Sequence, residues 1–119
     1  MTDLIACLGT GEAHHRYVQA LIAGQDWDNV FLIASAEAAQ SFAAQGQVHF
    51  VIVDAAHKLL HISAAVQKQL SGKLNTLDVA LNLSAGSGKE SMAVLAALLK
   101  LGAWIRLIAY TKETGVQEL

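Results

Sequence analysis

Short, almost unbroken apolar runs alternate with segments of helical period along this chain, and that alternation limits the fold more than any other feature. The runs are Asp3–Leu8 (DLIACL), Asn29–Ala34 (NVFLIA), Val48–Asp54 (VHFVIVD), Asp78–Leu83 (DVALNL) and Ala103–Tyr110 (AWIRLIAY). Strands that are apolar at successive positions are buried on both faces, as in a parallel sheet. Helices are expected over Glu12–Ala23, with Val18, Leu21 and Ile22 on one side, and over Ala36–Ala44, capped by Ser35 and stopped at Gln45–Gly46. Leu59, Ile62, Val66 and Leu70 recur at helical spacing before Gly72, and a fourth helix begins near Lys89. Strands and helices in this alternation give an α/β fold with a doubly wound, mostly parallel, Rossmann-like sheet in the order 3-2-1-4-5. Thr111–Gly115 reads as a turn into a sixth strand, Val116–Leu119, so that the tail closes one edge as a hairpin.

The fourth helix carries two apolar stripes. Met92, Leu95, Ala96 and Leu99 form one, and Val94, Leu98 and Leu101 the other. A helix apolar on two sides is expected to be covered on both, one by the sheet and the other by a neighbouring helix or a second subunit. The 119 residues make a single domain of common size with room for a sizeable core. A net charge of -2 and a pI near 6.2 argue against a duplex-DNA partner. Cys7 is the single cysteine and fits a reducing, cytoplasmic setting. The N-terminus has no basic stretch ahead of an apolar one, and no apolar run approaches the ~20 residues needed to cross a bilayer.

Two glycine-rich loops stand out: Gly9-Thr10-Gly11 after the first strand, and Ser84-Ala85-Gly86-Ser87-Gly88 leading to Lys89 after the fourth. In the order 3-2-1-4-5 the reversal falls between strands one and four, where open α/β sheets bind ligands. Small residues let a ligand approach the main chain, and the first-turn N–H groups of the following helices favour an anion. His14, Ser35 and Asn82 are further candidate contacts beside these loops.

Neighbouring patterns exclude several chemistries. A P-loop needs a glycine separated by four residues from the Gly-Lys pair and Ser or Thr after the lysine. Leu83 and Glu90 stand at those positions. Gly9-Thr10-Gly11 lacks the third glycine of a dinucleotide fingerprint, since His14 occupies its place. His57 and His61 have the i, i+4 spacing of metal ligands but no H-E-x-x-H glutamate, so they read as helix surface and no metal or cofactor is expected. No G-x-S-x-G elbow accompanies the serines. Trp27 and Trp104, at strand entries, read as packing residues.

The stretch Asn82-Leu83-Ser84-Ala85-Gly86-Ser87-Gly88-Lys89, with Met92 and an alanine–leucine helix behind it, resembles the CRISPR-associated Rossmann-fold (CARF) domain. That family shows a strand ending in Asn-x-Thr/Ser-Gly-Gly-Thr/Ser-Lys. Here Ala85 replaces the first glycine and Gly88 is inserted, which puts Lys89 one position late. The closing hairpin, Ile105 to Leu119, is also similar to the family's last two strands. The resemblance implies a stand-alone, homodimeric domain that binds a cyclic oligoadenylate or related nucleotide at the loops after strands one and four. It also implies a separate effector protein and a link to CRISPR antiviral defence. Two alternatives accompany it: a ring nuclease that slowly cleaves the ring, and a regulatory or structural α/β subunit with no nucleotide ligand.

Overall fold

A computed structural model of the chain describes residues 2–44, 46–74 and 77–119. Ten elements follow in order: β1 (Asp3–Cys7), α1 (Glu12–Ala23), β2 (Val30–Ala34), α2 (Ala36–Ser41), β3 (His49–Ile52), α3 (Leu59–Leu70), β4 (Asp78–Asn82), α4 (Gly88–Lys100), β5 (Trp104–Thr111) and β6 (Gly115–Glu118). They build one six-stranded sheet in the order β3-β2-β1-β4-β5-β6. All neighbours pair parallel except β5 and β6, which form the antiparallel hairpin. The α/β architecture and strand order are those the alternation of runs implies.

The unbroken apolar runs have a direct explanation in the two faces of this sheet. In β1, Ile5 and Cys7 point to the layer of α3 and α4, with Val66, Leu70, Val94 and Leu98. Leu4 and Ala6 point to the opposite layer, with Val18, Leu21 and Phe42. Every residue of β1 and β2 is buried. At about 1.5–3 kcal/mol for each large side chain removed from water, these central strands hold much of the hydrophobic stabilisation.

At the end of the sheet where the parallel strands begin, polar groups lock four segments together. Arg106 donates from Nε to Asp78 Oδ1 at 3.1 Å and from Nη2 to Asp78 Oδ2 at 3.0 Å. The same Nη2 reaches Thr2 Oγ1 at 2.8 Å, and Nη1 lies 3.5 Å from Glu118. The Arg106 bonds, followed by the Thr2 hydroxyl that donates to Asp78 Oδ2 at 2.9 Å, hold the Asp78 carboxyl below the usual carboxylate value. On the β3 edge, the Gln69 side chain accepts from the Ile52 N–H at 3.2 Å and donates to the Ile52 carbonyl at 2.9 Å. An outward-facing peptide group of an edge strand is thereby closed to pairing.

Several boundaries differ from the sequence reading. Helix α2 stops at Ser41 rather than Ala44, because Phe42 leaves the helix with ψ 124°. Its ring is buried and meets the rings of Phe50 and His15 edge-on. Of the expected stop, Gly46 adopts φ 87°, while Gln45 lies outside the described residues. Strand β3 is shorter than Val48–Asp54, as suits an edge with a single partner. His57 falls in the turn before α3, so only His61 of that pair is on the helix. Trp27 is half-buried and donates to the Leu21 carbonyl at 3.0 Å, but Trp104 is 75% exposed and is no packing residue.

Helix α4 buries Ala93, Val94, Ala97 and Leu98, and Leu101 is partly buried against the same core. Its other stripe is split: Leu95 is partly buried against the same core and Ala96 is half-buried, whereas Met92 is 59% and Leu99 63% exposed. No helix among the described residues is long and apolar enough to cross a membrane.

Candidate functional site

Strands β1 and β4 lie side by side, with Ala6 opposite Asn82, and the chain leaves them for opposite faces of the sheet. The loops that follow therefore meet over the carboxyl ends of both strands. A Cβ on Gly9 would overlap the His14 ring and stand 2.8 Å from the Ala85 carbonyl oxygen. A Cβ on Gly86 would stand 2.8 Å from Cys7 Sγ. Glycine at these two positions is thus required by how closely the loops approach each other and the end of β1. Between the loops lies a cleft of about 260 Å³, bordered by Gly9, Thr10, His14, Ala85, Ser87 and Glu90.

The two adjacent histidines have separate places. The His15 ring nitrogen Nε2 shares a hydrogen bond of 2.8 Å with the Gly9 carbonyl, and its ring packs on Phe42. His14 is exposed and borders the cleft. Helix α1 begins after Gly11, which is extended (φ -86°, ψ 158°) and offers no side-chain cap. The amides of Glu12, Ala13 and His14 belong to that first turn and have no intrahelical acceptor. Glu12 itself is exposed and lies 3.5 Å from Arg16.

Helix α4 begins differently. The Ser87 hydroxyl accepts from the Glu90 N–H at 3.1 Å, and Glu90 Oε1 accepts from the Ser87 N–H at 3.1 Å. This reciprocal capping box occupies two of the donors that the sequence reading left open to a ligand. The amides of Gly88 and Lys89 are the ones that remain. The signal was present in the sequence as Ser87-x-x-Glu90, the spacing by which such boxes are recognised.

The other candidates divide between cleft and scaffold. Asn82 is buried, and each of its polar atoms is engaged within the protein. Its amide donates to the Ile108 carbonyl at 2.9 Å and to the Tyr17 hydroxyl at 3.1 Å. Its carbonyl accepts from Ser84 Oγ at 2.7 Å and from the Ser84 N–H at 3.2 Å. Asn82 thus ties the start of the second loop to β5 and α1. Lys89 donates to the His57 carbonyl at 2.8 Å, toward the segment before α3 rather than into the cleft. Ser35 caps α2, accepting from the Ala38 N–H at 3.1 Å, and also borders the cleft.

Burial, reinforced by the charge of Glu90, pushes the Cys7 thiol beneath the loops up to about 12. It stays protonated and acts as a packing group rather than a nucleophile. Further along the sheet, Asp54 Oδ1 accepts from the Ala56 N–H at 2.9 Å and Oδ2 lies 3.5 Å from His57 Nε2. Among the described residues no group of three or more His, Cys, Asp or Glu side chains is placed to hold a metal ion. The cleft is bordered by the hydroxyls of Thr10 and Ser87 and the His14 imidazole at the uncapped start of α1, a set that can bind an anionic group. No protein-family model and no curated protein matches this chain.

Proposed function

We propose that this chain is a homodimeric nucleotide-sensing domain that binds a cyclic oligoadenylate-type second messenger at the loops after β1 and β4. The observation that carries the reading is the meeting of both glycine loops at one cleft over the crossover of the sheet. Gly9 and Thr10 border one side of the cleft and Ala85 and Ser87 the other, while Gly11, Ser84, Gly86 and Gly88 complete the two loops without lining it. A phosphate sits best at the start of α1, where no side chain among the described residues caps the amides, rather than beside the Glu90 carboxylate. Lys89 contributes its charge from beside the cleft. The exposed stripe of Met92 and Leu99, with exposed Leu107 on the adjoining β5, supports a second copy as the cover of that face. A two-fold axis would duplicate the loop pair into a larger pocket suited to a symmetric ring. A separate effector protein, a part in CRISPR antiviral defence and a cytoplasmic setting belong to the same proposal.

The position of His14 favours one second reading, a slow ring nuclease. An imidazole at the cleft could move a proton while the loops hold a ribose hydroxyl in line with its phosphate.

Thermal shift with cyclic tri-, tetra- and hexa-adenylate tests the first reading, because a ligand of the native state raises the melting temperature. At least one ring is expected to do so in wild type, and less in a Gly9→Ala variant. No shift with any of the rings removes the proposal and leaves a structural α/β subunit. Linear product after incubation, abolished by His14→Ala, would favour the nuclease.

A further inference from the structure

A second cavity, of about 570 Å³, opens beside the cleft over the ends of β2 and β3. Ser35 and Ala55 border both, so the two form one trough along the carboxyl edge of the sheet. From β1 to β3 is two strand spacings, about 10 Å. That is the scale of one nucleotide from its phosphate to its base.

The far part of the trough differs in chemistry from the near part. Ala36, Ile52 and Ala65 supply apolar surface, while Glu37 and Asp54 place carboxylates at its walls. Asp54 Oδ1 accepts from the Ala56 N–H at 2.9 Å, which orients this exposed carboxylate, and His57 Nε2 lies 3.5 Å from Oδ2. Each of those oxygens keeps a further lone pair. A carboxylate repels a phosphate and accepts hydrogen bonds from hydroxyl groups, so the trough sorts a nucleotide end from end. The phosphate belongs at the start of α1 and the hydroxyl-bearing sugar toward β3.

We propose that Asp54 reads the ribose 2′-hydroxyl and makes the trough selective for ribonucleotides over deoxyribonucleotides. This rests on the nucleotide reading of the cleft and adds the sugar specificity and the residue that sets it. The experiment measures binding of AMP, 2′-deoxy-AMP and inorganic phosphate by titration calorimetry, to wild type and to Asp54→Asn. AMP is expected to bind wild type roughly tenfold or more tightly than 2′-deoxy-AMP, the scale of a hydrogen bond to a charged acceptor. In Asp54→Asn that ratio falls toward one while phosphate binding does not weaken. Equal affinity for the two nucleotides in wild type, or a ratio unchanged in the variant, overturns the assignment of Asp54 and leaves the cleft standing. Failure of all three to bind wild type overturns the nucleotide reading and this assignment together.

Discussion

Replacing Asn82 with alanine tests how the second glycine loop is held. The side chain is 4% exposed and bonds to Ile108, Tyr17 and Ser84 at once. Truncation leaves the Ile108 carbonyl without its side-chain partner, at about 1–3 kcal/mol for a group left unsatisfied, while the Tyr17 hydroxyl keeps the Tyr110 N–H. Ser84 is exposed, and water replaces its lost acceptor at little cost. A loss of about 2 kcal/mol follows, which for a domain of this size lowers Tm by roughly 8 °C. Tyr17→Phe removes the hydroxyl that accepts from both Asn82 and the Tyr110 N–H, so the two changes share a contact. The double variant is expected to depart from additivity by about 0.5–3 kcal/mol. Urea and thermal unfolding of the four proteins, read by far-ultraviolet circular dichroism, give the numbers. A Tm loss under about 3 °C for Asn82→Ala, or strict additivity, would refute the view that Asn82 is a strut.

Gly86→Ala should destabilise by about 1–3 kcal/mol, because the added methyl meets Cys7 Sγ at 2.8 Å. Combining it with Cys7→Ala, which vacates that space, should recover part of the loss in a denaturant titration. Asp78 has a depressed folded-state pKa, so its contribution is complete above the ordinary carboxylate value and disappears as pH falls through the folded one. Asp78→Asn should therefore be less stable than wild type near neutrality, with the two melting curves converging on acidification, and a gap independent of pH would contradict the pairing. Gln69→Ala uncovers the Ile52 peptide group on the β3 edge. Light scattering should then detect concentration-dependent association on warming that wild type does not show.

The central strands were legible because burial on two faces leaves a simple mark, a nearly unbroken apolar run. Ser35 was legible as a cap because a single hydroxyl before an alanine-rich turn is a local signal. The end of α2 was not, since Phe42 turns out of the helix to meet Phe50 and His15, partners distant in sequence. Trp104 was misjudged because aromatic character alone does not decide burial at the first residue of a strand. At the cleft, sequence located both loops correctly but not the direction of their side chains. Lys89 turns to the His57 carbonyl, and His14 and His15 separate, through contacts that depend on how α1 and α4 sit on the sheet.

The placement of β1 between β2 and β4 has a consequence for how the chain acquires its shape. Asp3 pairs with Val79, so the innermost strand must wait for a partner some 75 residues downstream. At cellular elongation rates that delay is about 4–15 s. During it a fully buried strand leaves the ribosome with one flank open, and only the β3-β2-β1 half of the sheet with α1, α2 and α3 can form. Assembly of this protein is thus gated by translation of β4, and slowing the ribosome between β2 and β4 should increase its demand for chaperones.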